Sequence, residues 1–156
     1  MSVRGATLAE LDRSLTRLYE RLSAWEETIA EHVGLSPRQC HAVAELGSLG
    51  KVRMKALAGA LGISTGTLTV MIDRLERRGL VAREADPEDG RAFFLCLSPT
   101  GAAVAAEHRK HHEALYEGMR KALGAASSRE LVSIMDRLEE IDLEPSADDG
   151  RFRAAP

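Results

Sequence analysis

Five histidines stand at three places in the chain: His32, His41, and the group His108, His111 and His112. His108 and His112 are four residues apart, and so are Glu107 and His111, so on a helix each pair shares a face. Two neutral imidazoles at that separation supply half of a tetrahedral Zn²⁺ set without loop strain; a further imidazole, thiolate or carboxylate would complete it. His41 follows Cys40 directly and would lower the pKa of that thiol, although no resolving cysteine is evident. Cys96 lies in an apolar run and reads as packed. The plain alternative is that these histidines are solvated on helix faces.

A second stretch carries a different chemistry. "GISTGTLTVMIDRLERRGLV", Gly62 to Val81, opens on one Ser and three Thr and closes on Arg77-Arg78-Gly79. Leu68, Met71, Ile72 and Leu75 form an apolar stripe at helical spacing. Thr65, Gly66, Thr69, Val70 and Asp73 point the other way. Small residues let a helix N-terminus approach the floor of a DNA major groove, where bulky ones would hold it off. Hydroxyls can bond phosphates or base edges, and the helix terminus itself favours phosphate.

The elements that must position these residues follow from periodicity. Leu8, Leu11, Leu15, Leu18, Leu22, Trp25 and Ile29 alternate by three and four, which predicts a first helix over 6–32 with one narrow apolar seam. Such a seam needs a partner, within the chain or from a second subunit. Ser36-Pro37 opens a second helix to about Leu46, ending at Gly47. Lys51-Val52-Arg53 reads as a short extended piece. "MKALAGAL", 54–61, is a short helix that buries Leu57, Ala58 and Leu61; Gly59 costs about 1 kcal/mol relative to Ala, so tertiary packing must hold it. Gly62 breaks it and Ser64 caps the hydroxyl-rich helix, which Gly79 ends. Strands over 81–84 and 92–97 flank the turn Asp86-Pro87-Glu88-Asp89-Gly90. Ser98-Pro99 opens a long helix to about Leu123, and 128–141 forms a shorter one. Residues from Glu144 on read as a disordered tail.

A short helix, a Gly turn, a second helix with a small polar face and then a hairpin make a winged helix–turn–helix in a mainly α chain. Arg91 at the hairpin tip would reach an adjacent minor groove. The plain alternative is an ordinary helical hairpin.

Bulk numbers bound the rest. The 156 residues carry a net charge of −3 and 44% hydrophobic residues, about one domain with a mostly aliphatic core. Charge is unevenly placed. Segment 51–84 holds seven Lys or Arg against three acids, a net +4, whereas Asp142, Glu144, Asp148 and Asp149 cluster near the end. No apolar run approaches the roughly 20 residues of a membrane helix, and the N-terminus does not read as a signal peptide. Two cysteines make no disulfide framework. A cytoplasmic location is expected.

Residues 57–101, "LAGALGISTGTLTVMIDRLERRGLVAREADPEDGRAFFLCLSPTG", resemble the MarR family of bacterial transcription regulators. The pattern runs L-x-x-x-L-G-[IV]-S, then T-x-x-[VI]-x-x-L-x-x-x-G-[LY]-[VI], then a wing D-x-R and L-[ST]-x-x-G. With the outer helices, the resemblance extends over about 6–141. It implies a DNA-binding repressor acting as a homodimer on a pseudo-palindromic operator of double-stranded DNA. It divides the chain into a helical dimerisation region (1–35 and 98–143), a winged helix (36–97) and a tail (144–156). By resemblance Thr65, Gly66, Thr69 and Val70 face the major groove, Ser36 and Arg38 touch phosphates, and Ser64 and Arg74 flank them. Arg91 is the wing arginine, oriented by an ion pair with Asp89. The chain departs from many relatives in carrying Gly90 where they have a second basic residue. Its wing acids Asp86, Glu88 and Asp89 would oppose phosphate contact.

The histidines resemble those of the family's zinc-responsive branch, which implies a zinc site of Glu26, His41, His108 and His112. Glu27 is an equal candidate for the carboxylate. A second set would be His32, Cys40 and Glu107. "GISTGTLT" equally resembles a branch that binds fatty acyl ligands, so zinc and an apolar effector both stay open.

Two rival classes are weighed against this one. "EHRKHHE" is not the H-E-x-x-H of hydrolytic zinc helices, and no nucleophile elbow, phosphate loop or dinucleotide fingerprint is present, which argues against an enzyme. A winged-helix interaction module that ignores DNA would show no salt-dependent duplex binding.

Overall fold

The computed structural model describes residues 5–89, 92–142 and 153–154. Along them run α1 (Leu8–His32), α2 (Pro37–Leu49), β1 (Val52–Arg53), α3 (Met54–Ala60), α4 (Thr65–Arg77), β2 (Val81–Ala85), β3 (Phe93–Leu97), α5 (Pro99–Glu139), β4 (Ile141–Asp142) and β5 (Arg153–Ala154). The fold is mainly helical with a small antiparallel sheet in the order β1-β3-β2. The chain forms two compact units, 1–111 and 112–156, with the boundary falling inside α5. The end of α1 and the start of α5 belong with the winged helix, because Ile29, Ala30 and Ala105 are buried in it.

Local signals explain the helix ends in the first unit. Thr7 and Glu10 form a capping box at α1, and Ser36 and Gln39 form one at α2, where Pro37 takes the first position. Such caps each contribute about 1 kcal/mol. Ser64 accepts from the Thr67 amide to cap α4. α3 and α4 meet at 106°, within the range of helix–turn–helix motifs. Gly62 and Gly79, both at positive φ, make the turn between them and the exit.

α2 runs past the stop expected at Gly47 and ends instead at Gly50, whose φ is 74°. Gly47 is there for space: a Cβ would meet Ala105 Cβ and Leu97 Cδ1, each at 3.2 Å. Gly59, in contrast, has nothing within 4 Å of a built Cβ. Packing holds the helix through the buried Leu57 and Ala58, and nothing in the structure explains the glycine.

The core of the first unit is aliphatic. Leu46, Leu57, Leu68, Ile72, Leu75 and Leu95 are fully buried. The α4 stripe thus supplies three of the six, with Met71 packed against the cluster as a partly buried neighbour. The α1 seam behaves otherwise: Leu8, Leu11, Leu15 and Leu18 are exposed, and only its end at Ile29 is buried.

In the second unit α5 continues to Gly124, where φ 74° and ψ 170° break the helix, and resumes to Glu139. Tyr116, Met119, Leu123, Leu131 and Val132 line a shallow apolar groove across that break. Ile141 and Asp142 pair with Ala154 and Arg153. This short ladder differs from the disorder expected of the tail, whose other residues lie outside the described ones. Among the described residues no single helix is long and apolar enough to cross a membrane.

Candidate nucleic-acid interface and histidine cluster

α4 presents two faces, as its residue types require. Leu68, Ile72 and Leu75 hold it in the core, while Thr65, Gly66, Thr69, Val70 and Arg74 are exposed on the other side. The Thr69 hydroxyl donates to the Thr65 carbonyl at 2.7 Å. That bond ties its only proton to the helix and leaves lone pairs and a methyl group facing outward. Ser64 Oγ is engaged as the cap and lies 2.9 Å from Thr67 Oγ1. The start of α2 adjoins this face. Ser36, Arg38, Thr67, Val70 and Arg74 line an open groove of about 500 Å³ between the two helices. Two guanidinium groups and two helix N-termini converge there, an arrangement suited to a polyanion.

The basic segment is less uniformly cationic than its count implies. Arg83 is bound by Asp73 and Glu76 of α4, Lys51 by Glu84 at 2.6 Å, and Arg53 by Asp86. Arg78 donates to the carbonyls of Val33 and Gly34, tying the end of α4 to the α1–α2 turn.

These pairings correct the expectation for the wing. Asp86 is buried, with its carboxylate engaged by Arg53 and by the Glu88 amide at 2.9 Å. It therefore does not oppose an approaching phosphate. Asp73, on the same side of α4 as the threonines, is likewise held by Arg83. Arg91 and Gly90 lie outside the described residues, and so does the ion pair expected between Arg91 and Asp89. The Asp89 carbonyl accepts from the Ala92 amide at 2.8 Å, closing the hairpin.

The histidines come together on α2 and α5. The His41 and His108 rings meet edge-on with centroids 5.6 Å apart. His108, which is buried, offers a ligand atom within 4.8 Å of one on His41. His112 lies one turn further along the same helix and belongs to the second unit. Glu26 Oε1 lies 3.3 Å from His41 Nε2, whereas Glu27 is exposed. His112 Nδ1 also lies 3.1 Å from the Tyr116 hydroxyl.

The second set does not assemble. Cys40 is buried in the core, His32 Nδ1 lies 2.7 Å from the Thr28 carbonyl of its own helix, and Glu107 pairs with Lys110 and His111. The reason is helical phase, since Cys40 is on the inward face of α2 and Glu107 is on an exposed face of α5.

Cys40 also corrects the lowering of its thiol pKa expected from His41. Burial pushes its thiol up from the usual range, outweighing the pull of Arg78. Cys96 is raised as well, first by burial and then by its bond to the Glu84 carboxylate. Both stay thiols at neutral pH. Native protein at pH 7 is expected to react with a disulfide reagent far more slowly than the same chain in guanidinium. Equal rates would show that the thiols are open and activated.

Sequence reasoning passed over Arg53, Arg78 and Arg83 except as contributors to net charge. For Arg83 a signal existed: two residues after the inward Val81 on a strand, it had to share the inward face.

A bent helix pair with a small polar outer face, followed by an antiparallel β2–β3 wing, defines a winged helix–turn–helix. Residues 35–93 match the model of the MarR family. It is 34% identical over 99 residues to the uncharacterized HTH-type transcriptional regulator YcgE of Bacillus subtilis, a match covering 61% of this chain and 64% of that protein. It is 27% identical over 94 residues to the HTH-type transcriptional repressor MdtR of the same organism, covering 60% and 61%. The matched stretch thus spans less than two thirds of either relative. The fold is shared with Streptococcus pneumoniae FabT, solved in complex with DNA, at a TM-score of 0.77 and 21% identity, over 85% of this chain and 98% of that one.

Proposed function

We propose that the protein is a transcriptional regulator that binds double-stranded DNA in the cytoplasm, as a homodimeric repressor of a pseudo-palindromic operator. The observation that carries this reading is the outer face of α4. Thr65, Gly66, Thr69 and Val70 stand exposed, with Arg38 and Arg74 lining the adjoining groove. Residues this small let the helix enter a major groove, and the flanking guanidinium groups take the phosphates. The MdtR and FabT likenesses support a repressor and a DNA ligand. The exposed leucines of α1 and the apolar groove of the second unit support a second copy as partner.

Zinc is the effector the residues fit best. Three imidazoles and a carboxylate are a donor set for a borderline-soft cation. His41, His108 and His112 would hold the ion. Glu26, 3.3 Å from His41 Nε2, would either join them or orient His41 from behind. Bound zinc would supply a divalent charge linking α2 to α5. A second reading, an apolar effector with an anionic head, is favoured by one observation. Arg38, His41, Leu61, Ile63 and Met71 line a pocket of about 280 Å³ beside the histidines. Either effector would act by biasing the placement of the two reading helices in a dimer.

The test is fluorescence anisotropy on the duplex upstream of the protein's own coding sequence. The protein is used metal-stripped, zinc-loaded and mixed with a long-chain acyl ligand, over a salt series. Expected are binding that weakens steeply with salt, one zinc retained per chain, and an affinity altered by zinc. Absence of duplex binding at low salt would overturn the DNA reading. Failure to retain zinc would overturn the zinc reading alone.

A further inference from the structure

The wing joins β2 and β3 into a ribbon that β1 supports only as far as Phe94, and two-stranded ribbons are marginal when unsupported. Its hydrophobic anchoring stops early. Val81 and Leu95 are buried, but beyond the rung Arg83–Leu95 the pairs Glu84–Phe94 and Ala85–Phe93 bring only exposed or half-buried side chains. Something other than core packing must hold the outer half at a set angle to α4.

On one face of the ribbon, Lys51 and Arg53 flank the Phe94 ring at 5.2 Å and bind Glu84 and Asp86. Those ties run to β1 and its neighbour. Among the described residues, the other face has a single cation, Arg83. Its guanidinium reaches Asp73 Oδ1 at 2.5 Å and also binds Glu76, both on α4, one turn apart. The same guanidinium stacks 5.2 Å from the Phe93 ring, two residues further out along the facing strand. Its Nε is buried and meets no acceptor, so the side chain's placement follows its two carboxylates rather than the satisfaction of all its donors.

We propose that Arg83 is the positioning residue that sets the angle between the wing and the reading helix. It thereby couples the major-groove contacts of α4 to the minor-groove contacts of the hairpin tip. This rests on the reading of α4 and the wing as a DNA-binding pair. Arg suits the role because its planar fork holds two carboxylates while stacking on a ring, which a Lys ammonium cannot do. Asp73 and Glu76, beside the threonine face, are explained as anchors of the wing rather than as acids that repel DNA.

The test uses the full chain with Arg83→Gln, Arg83→Lys and the double variant Asp73→Asn with Glu76→Gln. Amide hydrogen exchange over 84–94 is read without DNA. Hydroxyl-radical footprints are read on a duplex that the wild type selects from a random pool. Arg83→Gln is expected to speed exchange in the outer wing about tenfold while α4 stays protected. It should lose protection at the outer minor-groove segments, keep the central major-groove protection, and bind about tenfold more weakly. Arg83→Lys should fall between. Should Arg83→Gln fail to fold, the double variant, altered at partly exposed positions, is expected to give the same pattern. Unchanged exchange and an unchanged footprint in either variant would overturn the proposal. If the wild type selects no duplex, the DNA reading fails while the exchange measurement still decides the clamp.

Discussion

Thr69→Glu is expected to abolish duplex binding, with a loss of at least about a hundredfold in affinity at fixed salt. Thr69 is exposed on the first turns of α4, and its hydroxyl is already bonded to the Thr65 carbonyl. Little of the fold depends on its outer atoms, so the change should move stability by no more than about 0.5 kcal/mol. In a groove the new carboxylate would meet phosphates and base edges at close range, and its extra length would lift the helix. Thr69→Ser keeps the hydroxyl and the size and should bind nearly as well as wild type. Anisotropy titrations of the three proteins on one duplex decide the matter. If Thr69→Glu binds within about threefold of wild type, α4 does not enter the groove in the proposed way.

Gly101→Val is expected to be the most damaging single change to stability. A Cβ at Gly101 would lie 1.9 Å from the Leu80 carbonyl oxygen and 2.9 Å from the Leu80 carbonyl carbon. Both are backbone atoms and cannot rotate away. The same carbonyl accepts the Ser98 amide at 3.0 Å. Ser98 Oγ donates to the Gly79 carbonyl at 2.6 Å and accepts the Gly101 amide at 2.9 Å. This lattice pins the start of α5 onto the turn between α4 and β2. Making room for a side chain breaks it, at a cost of about 3 kcal/mol or more. For a chain of this size that lowers the melting midpoint by roughly 6–12 °C. Gly59→Ala is the control: nothing lies within 4 Å of its Cβ, and the change should stabilise α3 by up to about 1 kcal/mol. Thermal unfolding of both variants tests the pair. A midpoint for Gly101→Val within a degree of wild type would mean that the junction yields.

The likeness of Gly47, Gly59 and Gly101 in sequence shows where local reading ends. Each is a glycine in a helical pattern. One is needed for packing against Ala105 and Leu97, one for the Leu80 backbone, and one for nothing visible. The difference depends on neighbours far along the chain.

What the sequence determined by itself was the set of elements, and with them the outer face of α4. Helical period, two capping serines and the glycines at positive φ are local signals, and the local backbone obeys them. The i,i+4 pair His108 and His112 was legible for the same reason. Tertiary structure decided which charges act. Asp86 was expected to oppose phosphate, and Asp73 and Arg83 entered only the net charge, yet each is committed to a partner ten or more residues away. It also set Glu26 beside His41, and left Cys40 in the core and out of any site. Charge pairing depends on distance in space, and a ladder or a helix crossing brings together residues whose separation in sequence carries no sign of it.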